Sequence, residues 1–148
     1  MTQITGDLYL GDLRESLDIQ QLNAHAIQCC LNLAHSTFVR SRLDPPHLMR
    51  VHFPLMDGGK NSIQDYVAVV RLVDVLVECY GRIFLHCLEG VSRSPFIAAV
   101  YLSWKLSLDF EQCLDRIKAG SCCKTDVHPD HLAVADEVLR CLRNMGNT

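Results

Sequence analysis

The chain has 148 residues, of which 49% are hydrophobic and 21% are charged, and its formal net charge at pH 7 is −3. This length and composition are typical of one compact domain with a substantial core, so we expect residues 1–148 to form a single domain. The slightly acidic balance excludes the strong positive field that binding to nucleic acid or an anionic membrane requires. No apolar stretch reaches membrane-spanning length, because charged residues at positions 71, 74 and 78 interrupt the best candidate.

The first half of the chain predicts three strands and one short helix. Apolar segments bounded by turn residues indicate the strands, at residues 4–11, 27–34 and 50–55. Asp18 and Gln21 have the spacing of a capping box, which predicts a short helix after Asp18. Residues 35–49 contain serines and a Pro-Pro pair and are predicted to be mostly loop.

The second half of the chain predicts one strand and four helices. The apolar run at residues 83–85 indicates a strand that is buried on both faces. Helix starts are indicated by capping residues, or by a proline in the first turn, at Ser62, Ser94-Pro95, Asp109 and Pro129. The last of these helices has an apolar face that continues from Leu132 to Leu142.

Strands that alternate with helices predict an α/β fold, with a central and mostly parallel sheet of four to five strands flanked by helices on both faces. In such sheets, ligands bind beyond the carboxyl ends of the strands. Cys87 follows the buried strand at residues 83–85, so we expect it at this edge.

Residues 86–95 read His-Cys-Leu-Glu-Gly-Val-Ser-Arg-Ser-Pro and join the central strand to the next helix. Backbone N–H groups in such a loop converge, and the helix N-terminus adds positive potential, which makes an anion site. The same field favours the thiolate form of Cys87. The planar guanidinium of Arg93 can bind two phosphate oxygens at once. A thiolate at the base of a phosphate cradle predicts nucleophilic attack on phosphorus.

The pattern His-Cys-x5-Arg-Ser resembles the signature of cysteine-based protein phosphatases, and residues 90–94 resemble its small, atypical dual-specificity members. No other cysteine in the chain has an arginine six positions later. Residues 8–11, Leu-Tyr-Leu-Gly, also resemble the opening strand of the family. The resemblance implies hydrolysis of phosphotyrosine and of phosphoserine or phosphothreonine through a cysteinyl-phosphate intermediate, without a metal or other cofactor.

The resemblance also implies roles for the residues of this loop. Cys87 is the nucleophile, and the phosphate is bound by Leu88, Glu89, Gly90, Val91, Ser92 and Arg93. Ser94 helps the thiolate to leave in the second step, although a plain helix cap would equally explain it. His86 is expected to orient the loop by hydrogen bonding rather than to transfer protons.

Asp57 is the candidate general acid, because the family has an aspartate roughly thirty residues before the nucleophile and Asp57 lies 30 residues before Cys87. It follows a predicted strand and precedes two glycines, as expected for an acid on a movable loop. The alternative is that Asp57 only forms a turn. Asp65 competes for the role, but its place in a helical first turn is already explained by capping.

Two further hypotheses concern residues near the last helix. Cys122, Cys123, His128 and His131 are metal-ligand residue types, but their spacing fits none of the usual zinc patterns, so we expect no metal. Vicinal Cys122 and Cys123 are candidate redox partners for Cys87, a hypothesis that needs spatial proximity. Asp130 stands where the family often has asparagine and adds a negative charge of undetermined effect.

The loop also bears on the substrate. Leu88, Glu89 and Val91 are not basic, which favours a phosphorylated protein over a phosphoinositide or an RNA 5′-phosphate. The alternative from another class is a non-catalytic phosphoprotein-binding module, although such proteins usually lack the cysteine. A sulfurtransferase is disfavoured by the Arg-Ser ending of the loop. We expect a monomer without nucleic-acid or membrane partners in the reducing cytoplasm, with entry into the nucleus left open.

Overall fold

The computed structural model describes residues 1–35, 42–121 and 124–145, and within them five strands form one sheet. The strands are β1 (Thr2–Gln3), β2 (Leu8–Gly11), β3 (Cys29–Ala34), β4 (Met49–Leu55) and β5 (Ile83–His86). Their order in the sheet is β1-β2-β5-β3-β4, and only the short β1 is antiparallel to its neighbour. The predicted α/β fold with a mostly parallel sheet is confirmed.

Three helices begin directly after a predicted capping residue, and a fourth begins at Pro129 as predicted. Within the described residues, the helices are α1 (Ile19–Ala24), α2 (Ile63–Tyr80), α3 (Arg93–Leu106), α4 (Phe110–Gly120), α5 (Pro129–Leu132) and α6 (Ala135–Met145), and a 3₁₀ turn lies at Glu15–Leu17. Asp18, Ser62 and Asp109 each accept a hydrogen bond from the backbone N–H three residues later. Each cap therefore satisfies one N–H group that the first helical turn would otherwise leave unpaired.

The central strand β5 packs against apolar side chains on both faces of the sheet. Ile83 and Leu85 belong to the large cluster that contains α2, α3, α4 and α6, whereas Phe84 lies on the other face with Leu22 of α1. All three strand residues are completely buried. Because β5 also lies between two parallel neighbours, the end of this strand is a rigid base for the loop that follows.

Two predicted elements differ from the expectation in ways that local hydrogen bonds explain. The strand predicted at 4–11 covers only Leu8–Gly11, because the Thr5 hydroxyl accepts hydrogen bonds from Asp7 and Leu8 and turns the chain just before it. The last helix is divided, because the N–H of Val134 bonds the carbonyl of His131 in a tighter turn and α6 starts only at Ala135. Among the described residues, no helix is long and apolar enough to cross a membrane.

Candidate active site

Cys87 follows β5 directly and is 2% exposed at the base of the loop. Its Sγ lies 3.4 Å from the hydroxyl oxygen of Ser94, which is completely buried in the first turn of α3. The N-cap of α3 is Ser92, so the reading of Ser94 as a helix cap is wrong. The Ser94 hydroxyl lies inside the first turn of α3 and contacts the sulfur of Cys87.

Gly90 allows the loop to lie tightly against the end of β2. Its φ is +75°, a conformation that L side chains rarely adopt. A Cβ at this position would lie 2.9 Å from the carbonyl oxygen of Gly11. Two residues beyond β2, the N–H of Leu13 donates a 3.1 Å hydrogen bond to the carbonyl of Leu88. The first half of the loop is therefore held by the neighbouring strand.

The second half of the loop is held by the segment before α5. The N–H of Asp126 donates to the carbonyl of Val91 at 2.8 Å, and the N–H of His128 donates to the Ser92 hydroxyl at 3.0 Å. No acceptor among the described residues takes the N–H groups of residues 88–92. These donors are therefore available to an anion, as expected for a phosphate-binding loop.

Arg93 closes the loop and is 8% exposed. Its Nη1 donates a 2.9 Å hydrogen bond to the carbonyl of Leu55 at the end of β4, which anchors one arm of the guanidinium. Its Nε is buried and has no hydrogen-bond partner among the described residues. Buried guanidinium donors are rarely left unpaired, so the geometry fits an oxyanion bound at this position.

Asp57 lies two residues beyond β4, beside the loop that carries Cys87 and Arg93. Its Oδ1 is 3.2 Å from Nε2 of His131, and its carboxyl group also hydrogen-bonds Ser92. Burial by itself would raise the pKa of Asp57, but the bonds from Ser92 and His131 and the charge of Arg93 outweigh it, so the pKa is lowered. These interactions hold the Asp57 carboxylate beside the loop that carries Arg93.

The turn that carries Asp57 is closed by Asn61. The Asn61 side chain accepts a bond from the N–H of Met56 at 2.9 Å and donates one to its carbonyl at 2.8 Å. Gly59 donates its N–H to Oδ2 of Asp130 at 2.6 Å, so Asp130 anchors this turn.

Asp65, the competing acid, is exposed in the first turn of α2.

His86 is buried at the end of β5 and stacks on Phe84, with ring centroids 5.5 Å apart. Its Nδ1 lies 3.2 Å from the carbonyl oxygen of Cys87. Burial lowers the pKa of His86 to about 4, so the ring is neutral at physiological pH. The neutral ring thus contacts the backbone of Cys87, and its orienting role stays a prediction.

The structure brings Cys87, Arg93, Asp57 and Ser94 together, but sequence reasoning missed the contact between Asp57 and His131. In the sequence, His131 is identifiable only as a metal-ligand residue type near His128. Within the described ranges, no three His, Cys, Asp or Glu side chains are grouped as a metal site. The redox hypothesis involves Cys122 and Cys123, which lie outside the described residues.

The sequence profile of the family described as "Dual specificity phosphatase, catalytic domain" matches residues 8–127. Chicken (Gallus gallus) dual specificity protein phosphatase 4 is 28% identical over 117 residues, covering 75% of this chain and 29% of the relative. Human dual specificity protein phosphatase 9 is 29% identical over 131 residues, covering 86% of this chain and 33% of the relative. The chain thus spans about a third of the length of these curated relatives.

Solved structures agree at the level of the fold. The crystal structure of human DUSP28 superposes with a TM-score of 0.84 at 16% sequence identity, covering 98% of this chain and 99% of that one. At this identity the likeness speaks for the fold alone. The family profile covers most of the chain, and its matched segment includes the loop that holds Cys87 and Arg93. The chain therefore belongs to the dual-specificity phosphatase catalytic-domain family.

Proposed function

We propose that the chain is a dual-specificity protein phosphatase that hydrolyses phosphotyrosine and phosphoserine or phosphothreonine through a cysteinyl-phosphate intermediate. The observation that carries the proposal is the position of Cys87, buried beneath a loop whose N–H groups and Arg93 Nε have no acceptor among the described residues. The family match supports the same activity. A catalytic thiol requires reducing conditions, so we place the activity in the cytoplasm.

In the first step, the Cys87 thiolate attacks phosphorus, an S–P bond forms and the bond from phosphorus to the substrate oxygen breaks. Arg93 and the loop N–H groups bind the three equatorial oxygens, on which the transition-state charge is spread. Asp57 donates its proton to the departing oxygen. The dephosphorylated product leaves as a neutral alcohol or phenol.

In the second step, water attacks the phosphorus of the cysteinyl phosphate and transfers a proton to the Asp57 carboxylate. The S–P bond breaks, and the electron pair returns to sulfur. The hydroxyl of Ser94, 3.4 Å from Sγ, donates a hydrogen bond to the departing thiolate. Inorganic phosphate is released, and Asp57 is again protonated for the next cycle.

The test is phosphate release from matched phosphotyrosine and phosphothreonine peptides, in reducing buffer that contains a metal chelator. We expect turnover of both peptides. Phosphoinositide vesicles and RNA with a 5′-phosphate serve as competing substrates, and faster turnover of either one would reassign the substrate class. Peptide binding without turnover would favour the non-catalytic phosphoprotein-binding module instead.

An Asp57→Asn variant is expected to lose about 10²–10⁴-fold in kcat/KM on phosphothreonine peptides, because an alkoxide cannot leave without a proton. The loss on an aryl phosphate with a good leaving group should be much smaller. Because the pKa of Asp57 is lowered, the fraction of protonated acid falls as the pH rises. Wild-type kcat/KM should therefore be highest in acidic buffer, and the variant should lose this limb of the pH profile.

A Ser94→Ala variant is expected to slow the second step by roughly 10-fold, since it removes one hydrogen bond to the departing thiolate. Stopped-flow measurements with p-nitrophenyl phosphate should then show a burst of nitrophenolate followed by slow turnover. A Ser107→Ala variant, changed at the far end of α3, is the control and should behave as wild type. A variant without a burst would contradict the role of Ser94.

A further inference from the structure

His131 is completely buried on α5 and links the candidate acid to the protein core. Its Nε2 lies 3.2 Å from Oδ1 of Asp57, and its Nδ1 lies 2.6 Å from the hydroxyl oxygen of Tyr66. The side-chain amide of Asn61 donates a 3.1 Å hydrogen bond to the same hydroxyl. Four side chains thus form one continuous hydrogen-bonded chain that ends at Asp57.

The direction of each hydrogen bond follows from the donors available. Because the Asn61 amide donates to the Tyr66 oxygen, the Tyr66 O–H is directed at Nδ1 of His131. His131 then carries its proton on Nε2 and donates it to the Asp57 carboxyl. Burial lowers the pKa of His131 and raises that of Tyr66, so both are in their neutral forms for this arrangement.

The aromatic packing keeps the His131 ring in one orientation. The ring stacks on Phe96 with centroids 5.4 Å apart, and Tyr66 meets Phe96 edge-on at 5.5 Å. Phe96 is completely buried on α3, three residues after Arg93. The His131 ring, which contacts Asp57, therefore packs against α3, the same helix that carries Arg93.

Charged or titratable groups on the neighbouring elements also act electrostatically on these four hydrogen-bonded side chains. Arg93 on α3 acts on both Asp57 and His131, while His128 beside α5 acts on His131. Asp130 on α5 acts on Tyr66 and binds the N–H of Gly59 in the acid-bearing turn. The pH experiment below must therefore compare variants in which all these groups are retained.

We propose that His131, held by Tyr66, is a positioning residue that holds the Asp57 carboxyl through Oδ1 and so keeps the acid oriented toward the leaving group. This inference rests on the proposed phosphatase function. It gives His131 an effect that depends on the leaving group, because a poorly placed acid matters only where a proton is needed. A residue that only packed the core would affect all substrates equally.

The test compares His131→Phe, which keeps an aromatic ring against Phe96 but removes the donor, with His131→Gln, which restores an N–H. The measured quantity is kcat/KM for aryl phosphates of graded leaving-group pKa, because it reports the steps up to the cysteinyl phosphate. We expect His131→Phe to lose roughly 10- to 100-fold on the poorest leaving groups and little on p-nitrophenyl phosphate. His131→Gln should recover most of that loss.

The pH profile supplies a second readout. The hydrogen bond from His131 stabilises the carboxylate and lowers the pKa of Asp57. Without it, the basic limb of the kcat/KM profile should move to higher pH in His131→Phe and return in His131→Gln. In an Asp57→Asn background, His131→Phe should have no further effect that depends on the leaving group.

An equal loss on all leaving groups, or none, in a His131→Phe variant that folds would overturn the inference while the phosphatase function stands. If that variant does not fold, Tyr66→Phe gives the test, since it removes only the hydroxyl that orients His131. An equal change in kcat/KM on all leaving groups in Tyr66→Phe overturns the inference as well. A folded wild-type protein that hydrolyses none of the phosphates overturns both proposals.

Discussion

A Cys87→Ser variant is expected to lose at least about 10⁴-fold in kcat on p-nitrophenyl phosphate and on phosphopeptides. A serine hydroxyl at this position stays protonated near neutral pH and has no base among its described contacts, so it cannot form the phosphoryl intermediate. The residue is buried at the end of the rigid strand β5. Because serine is slightly smaller than cysteine, the fold and the phosphate-binding loop should be retained.

The measurement is steady-state turnover, together with circular dichroism and the binding of a fluorescent phosphopeptide. Cys79→Ser is the matched control, because Cys79 is an exposed thiol on α2. It should turn over as wild type does, while Cys87→Ser should bind the phosphopeptide without releasing phosphate. Residual turnover near the wild-type rate in Cys87→Ser would rule out the thiolate mechanism.

An Arg93→Lys variant is expected to lose about 10²–10³-fold in kcat/KM, although it keeps the positive charge. The guanidinium uses Nη1 to bind the carbonyl of Leu55 and leaves Nε for the phosphate. An ammonium group cannot make both interactions in fixed directions, since it is a single point with rotating donors. This substitution therefore tests whether phosphate binding needs the fixed geometry of the guanidinium or only its positive charge.

Competitive inhibition by inorganic phosphate or tungstate separates binding from chemistry in this variant. We expect the inhibition constant to rise along with the loss in kcat/KM. Arg82→Lys is the matched control, because the exposed Arg82 makes its hydrogen bond to the carbonyl of His25. An Arg93→Lys enzyme with wild-type kcat/KM would show that charge suffices.

Local patterns were sufficient to predict most of the architecture. The caps at Asp18, Ser62 and Asp109 act within four residues of chain, so their spacing is visible in the sequence. The same is true of the loop from Cys87 to Arg93, whose strand-to-helix setting follows from apolar runs on either side. The sequence left two interpretations of Ser94 open, because the choice between a cap and a sulfur contact depended on a one- to two-residue helix boundary.

The partners of the candidate acid could not be read from local pattern. Asp57 and His131 are 74 residues apart, and Tyr66 and His131 are 65 residues apart. Hydrogen bonds between such distant positions leave no periodic signal in a single sequence, since each residue taken alone fits a turn, a helix face or a metal ligand. The fold brings them together because α5 packs beside the turn that follows β4.

The sequence by itself thus determined the class of fold and the strand-to-helix loop that carries the candidate nucleophile, because these depend on short-range periodicity and on spacing within ten residues. Only the tertiary structure decided how the site is held together: Arg93 against Leu55, Gly90 against Gly11, and Asp57 against His131. Each of these contacts joins elements that are distant in the chain, and their geometry is set by how the helices and strands pack.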